Sequence, residues 1–111
     1  MNKKELAKIL EQHKLWLTSK SNEGKRANLI GTDLQHADLS GADLGAANLW
    51  GAYLNEANLE GANLSGAYLW RADLSGAILK VVSAKNCRIK HAKFSSKADK
   101  ARLMLLGAKD G

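Results

Sequence analysis

The sequence predicts an all-β solenoid closed by a helix at each end. Three observations predict it. Leucine recurs at every fifth position through the middle of the chain, glycine recurs two places after many of those leucines, and both flanks drop this period for a helical one. The stretch LWGAYLNEANLEGANLSGAYLW, Leu49 to Trp70, keeps the leucine period without a miss and carries a tryptophan after its first and last leucine.

Residues 1–26 form the first element, a capping helix and a turn. Asn2 and Glu5 make an N-terminal capping box, and Leu6, Ile9, Leu10, His13, Trp16 and Leu17 follow at helical spacing on one face. That stripe should sit on the first coil of the solenoid. Ser19 to Arg26, SKSNEGKR, reads as a polar turn into the repeat.

Residues 27–96 form the second element. From Ala27 the chain reads ANLIG, TDLQH, ADLSG, ADLGA, ANLWG, AYLNE, ANLEG, ANLSG, AYLWR, ADLSG, AILKV, VSAKN, CRIKH, AKFSS, which is 14 units without an insertion. The central residue is leucine in the first 11 and Ala84, Ile89 and Phe94 in the last three. On an α-helix a five-residue step advances about 500°, so the leucines would spiral round the whole surface. On a straight strand an odd step alternates faces, so half of them would point to water. A chain that turns a corner after each short extended segment can aim every leucine inward. Gly31, Gly41, Gly51, Gly61, Gly66 and Gly76 stand where corners with positive φ would lie.

Residues 97–111 form the third element, a short capping or dimerisation helix. Ser96 is its N-cap, Asp99 lies in its first turn and Gly107 is its stop. Leu103, Met104, Leu105 and Leu106 would cover the last half coil or meet the same element of another copy.

The tandem A(D/N)LxG units of residues 27–96 resemble the pentapeptide repeat family. The resemblance implies a right-handed quadrilateral β-helix with four units per coil, the central residue and the small residue two before it facing inward. On that plan the chain has about three and a half coils, stacked at strand spacing into a rod under about 20 Å long. Cys87 falls on a small inward position, where packing is its expected role. The resemblance also implies dimers, which in several such proteins form at the C-terminal end.

Counting by twenty places Ile30, Trp50, Trp70 and Lys90 at one outward position of successive coils, with Tyr68 beside them. This is a candidate protein-binding face, because exposed neighbouring tryptophans need something to cover them, whether a partner or the N-terminal helix. A second candidate is the basic end: Lys80, Lys85, Arg88, Lys90 and Lys93, extended by Lys97, Lys100 and Arg102. The net charge of +6 divides into +4 over residues 1–26, −5 over 27–79 and +7 over 80–111. A basic end can meet phosphates, but these cations spread over several faces, so nucleic acid is not the expected partner.

The residues offer no catalytic set. His13, His36 and His91 have no metal-ligand spacing, Cys87 has no partner, and Asp33, Asp38, Asp43 and Asp73 hold the repeat's ordinary outward position. No enzyme activity, cofactor or metal is expected. There is no apolar run of about 18 residues or more and no signal-peptide pattern, and one cysteine fits a reducing compartment, so the expected location is the cytoplasm without a membrane contact. The expected function is a scaffold for protein–protein interaction, with an unidentified partner or a homodimer through the aromatic face or the C-terminal end. The alternative comes from the resemblance: members of the family that mimic duplex DNA bind DNA gyrase, and a mimic could also act on a nuclease or CRISPR effector. Those members are longer and more acidic, and the gyrase-protecting ones carry loops that interrupt the repeat.

Overall fold

The computed structural model describes residues 1–20 and 22–111. Helix α1 spans Lys3–Thr18 and helix α2 spans Lys97–Leu105, with a β-solenoid between them. Asn2 caps α1 by accepting from the Glu5 amide at 2.8 Å. Of the expected polar turn, Ser21 lies outside the described residues. Gly24 brings the turn back against α1: its φ is 71°, and an added Cβ would run into the Gln12 carbonyl oxygen.

Each side of the solenoid is too short for a continuous strand and pairs with the next coil through a single parallel bridge. Four stacks result: Asn28–Asn48–Tyr68–Arg88, Asp33–Tyr53–Asp73–Lys93, Asp38–Asn58–Ile78 and Asp43–Asn63–Ser83. Every one of these pairs is twenty residues apart, so four pentapeptides make a coil of a right-handed quadrilateral β-helix. Leucine amides carry the pairing, as in Leu29 N–H to Asn48 O at 2.7 Å and Leu49 N–H to Tyr68 O at 2.8 Å.

The corners explain the other repeat positions. At a typical corner the Ala52 amide donates to Leu49 O at 3.0 Å, and Gly51 between them has a φ of 65°, as a type II turn requires. Where Asp or Asn precedes the leucine, its side chain closes the corner: Asn48 Oδ1 accepts from the Trp50 amide at 3.2 Å, and Asp38 Oδ1 from Ser40 N–H and Oγ–H. Those two donors hold the Asp38 carboxyl below its ordinary range.

Along the axis, Leu29 through Leu79 and Ile89 are buried, beside Ala47, Ala52, Ala57 and their equivalents. Cys87 is buried among them, and desolvation pushes its thiol up to about 12. Phe94, in the open half coil, is only partly buried.

One corner departs from the pattern. Position 81 should take positive φ, as Gly76 before it and Asn86 after it do, but it is a valine and does not. A β-branched residue resists that conformation. The corner is rebuilt instead: Val81 turns inward, Val82 is 66% exposed, and the Val82 amide donates to Ala62 O at 2.9 Å. The inward place that the period assigns to Val82 is therefore filled by its neighbour.

Helix α1 closes the first coil with Leu6, Ile9, Leu10 and His13. His13 is fully buried, with Trp16 stacked on it at 5.6 Å between ring centroids. Its Nδ1 accepts from the Ala27 amide at 2.9 Å, so the proton sits on Nε2, which donates to Gly45 O at 2.7 Å. The imidazole is neutral, and desolvation lowers its pKa from the usual 6.5.

At the other end Ser96 caps α2 by accepting from the Asp99 amide at 3.2 Å. Only Leu103 of the four expected residues is buried; Met104, Leu105 and Leu106 face outward. The chain then returns to the wall. Lys109 makes a parallel bridge with Arg88, with Lys109 N–H to Cys87 O at 2.7 Å and Ile89 N–H to Lys109 O at 2.9 Å, while Ala108 fills an inward place. The third element is thus a helix followed by one more rung.

Candidate functional site: an aromatic and cationic face

The face built on Asn28, Asn48, Tyr68 and Arg88 holds the first set of candidate residues together. Ile30, Trp50, Trp70 and Lys90 occupy the corner that ends this face in successive coils, and backbone bonds fix their stacking: Gly31 N–H to Trp50 O at 2.9 Å and Gly51 N–H to Trp70 O at 2.8 Å. Trp50 and Trp70 therefore share a face, one rung apart. With Arg26, Ile30, Asn48, Tyr68 and Arg88 they line a shallow depression of about 450 Å³.

The two tryptophans differ. Trp50 is 43% exposed, whereas Trp70 is half-buried and its Nε1–H is buried without a hydrogen-bond partner. Helix α1 lies on the first coil and does not cover this face, which is the alternative the sequence left open. Tyr68 is the centre of a charged group that periodicity alone does not reveal. The Arg26 guanidinium carbon lies 5.2 Å from its ring centroid and that of Arg88 lies 5.7 Å from it. Arg26 is fixed further by Nε–H donation to Ala46 O at 2.6 Å.

The basic end does not assemble into one site. Its wall cations lie on different stacks: Lys93 pairs across from Asp73, Lys80 and Lys85 follow Ile78 and Ser83, and Arg88 pairs with Tyr68. Lys97, Lys100 and Arg102 are on α2, where Lys100 Nζ is 2.6 Å from Asp110 Oδ2. Arg88 and Lys90 join the aromatic face instead. The third set divides as well, since Leu103 is core and Leu105 is 88% exposed beside Met104.

A depression of about 500 Å³ lies between α1 and the first coil, walled by Leu6, Leu10, Asp33 and Asp38. Its carboxylates are engaged in their own corners, Asp33 with the Gln35 amide and Asp38 with Ser40. Among the described residues no group of three or more His, Cys, Asp or Glu could hold a metal ion, and no helix is long and apolar enough to cross a membrane.

Fold and face together define a square β-solenoid whose core is uniform and whose distinctive chemistry lies on its outer wall. The chain belongs to the pentapeptide repeat family: the family's profile matches residues 25–45 and 42–80 in eight copies. Proteins of this family are generally non-catalytic. Among solved structures it is similar to the pentapeptide repeat protein Rfr23 of the cyanobacterium Cyanothece 51142, with 40% identity over 64% of this chain and 54% of that one, at a TM-score of 0.48. A pentapeptide repeat protein of the Arabidopsis thaliana thylakoid lumen matches at 32% identity over 64% of this chain and 52% of its own, TM-score 0.35. HetL of Nostoc, involved in heterocyst differentiation regulation, matches at 29% identity over 77% and 42%, TM-score 0.37. The chain thus spans about half the length of these relatives. No curated protein matches it.

Proposed function

We propose that this chain is a non-catalytic scaffold that engages a partner protein through the face of Ile30, Trp50, Tyr68 and Trp70. The observation that carries the reading is the 43% exposure of Trp50 beside a depression that gathers Ile30, Tyr68 and Trp70, whereas the other large exposed side chains of the wall, Tyr53, Ile78 and Val82, lie outside it. Large aromatic side chains in such settings are the usual anchors of protein interfaces. The test is affinity capture with the wild type and with Trp50→Ser as baits. A partner held by the first and lost by the second supports the reading, and identical recoveries reject it.

A second contact is proposed at α2, where Leu105 and Met104 are exposed and a second copy could cover them. Light scattering of the wild type and Leu105→Ser tests this, with a dimer expected only for the former. Duplex mimicry has less support. The carboxylates of Asp33, Asp38 and Asp43 fall on three different sides of the first coil, and the rows above them continue as Tyr53, Asn58 and Asn63, so no acidic row runs along the rod.

A further inference from the structure

We propose that the aromatic face takes an acidic segment of its protein partner, seating one apolar side chain beside Trp50 while carboxylates meet Arg26 and Arg88. This rests on the scaffold reading above and names the chemistry of the partner.

Charge complementarity is the first argument. The residues lining the depression include two arginines and no acid, and Lys90 and Lys109 continue the corner and the row toward the C-terminal end. The second argument is preorganisation. Both guanidinium groups lie over the Tyr68 ring, and Arg26 is also held through Nε, which leaves its terminal N–H groups as a fixed fork. A guanidinium restrained in this way loses little freedom on meeting a carboxylate, and the planar fork matches it.

The same geometry favours a peptide over a nucleic-acid strand, whose aromatic-lined grooves work by stacking bases on open rings. Here two guanidinium groups already lie against the Tyr68 ring and Trp70 is half-buried, so neither is a free stacking platform, and Trp50 is the most exposed aromatic of the face. Sheet extension is closed as well, because on this face the backbone bonds between coils are made within the chain, from Leu29 to Asn48 and from Leu49 to Tyr68. Recognition must then come from side chains.

The experiment is fluorescence anisotropy on the full chain with labelled synthetic peptides that place glutamate, lysine or serine around one central leucine, and with labelled oligo-dT. The glutamate peptide should bind and weaken with salt, the lysine peptide should not bind, and Arg88→Gln should cost roughly tenfold or more. An unfolding curve for Arg88→Gln that overlays the wild type shows that the loss is local. Equal binding of the lysine and glutamate peptides, or binding of oligo-dT alone, overturns the proposal. If no glutamate peptide binds but Trp50→Ser still loses a captured partner, the acidic chemistry is wrong and the scaffold reading stands. If Trp50→Ser changes neither result, both fall.

Discussion

Along the axis of this protein a single residue choice is repeated, and on the face of Asn28, Asn48, Tyr68 and Arg88 almost nothing is. Leu29, Leu49 and Leu69 lie one coil apart and all are buried; their neighbours Ile30, Trp50 and Trp70 lie one coil apart and are exposed to different degrees. Yet the backbone around Ile30, Trp50 and Trp70 is nearly the same, with each following glycine or arginine at a φ near 60°. The solenoid therefore fixes where the outer side chains stand while imposing little on what they are. Positions on the axis answer to packing, and positions on the wall are free of that constraint, as the proposed binding face requires.

Four substitutions probe that contrast. The largest effect belongs to Leu59→Ala, which empties the axis between Leu39 and Leu79; it should cost about 2–5 kcal/mol in urea unfolding, and a much smaller loss would mean the coils collapse to fill the space. His13→Phe comes next, since it strands the Gly45 carbonyl and the Ala27 amide, at about 1–3 kcal/mol. The wild type should also lose stability on acidification. With the folded pKa below 6.5, the contribution is complete above that value and falls as pH drops below it, because the unfolded state takes up the proton first. Thermal melts at pH values either side of it should show this slope in the wild type, and His13→Phe should be flatter.

Gly51→Val should have a smaller effect. An added Cβ there meets nothing within 4 Å, so the expected loss of about 1–2 kcal/mol, read from the same urea curves, comes chiefly from the left-handed conformation, which a β-branched residue resists. The natural Val81 corner shows how the chain escapes such a conflict. The smallest effect is reserved for Trp50→Ser.

The axis was legible because a five-residue period admits no other element, and the same count placed Trp50 over Trp70. What remained hidden depended on contacts between distant segments. The stripe of α1 placed His13 against the first coil but could not say that Gly45 and Ala27 would bond it. Arg26 lies just outside the repeat, and only the fold brings it over Tyr68. Two features did leave a signal. A β-branched valine at a corner position foretells the irregular turn at Val81, and Gly107–Ala108 has the corner-and-inward pattern of Gly51–Ala52, which marks the rung that follows α2. Four adjacent apolar residues from Leu103 to Leu106 could not all face one way on a helix, so only Leu103 reaches the core.

The most direct test of the division between axis and wall is the equilibrium urea unfolding of Trp50→Ser, followed by far-ultraviolet circular dichroism. The stability should match the wild type within about 0.5 kcal/mol, as for a surface residue that holds nothing in place. A loss of about 2 kcal/mol or more would show that Trp50 is part of what keeps the coils together, and the face would then belong to the fold rather than to a partner.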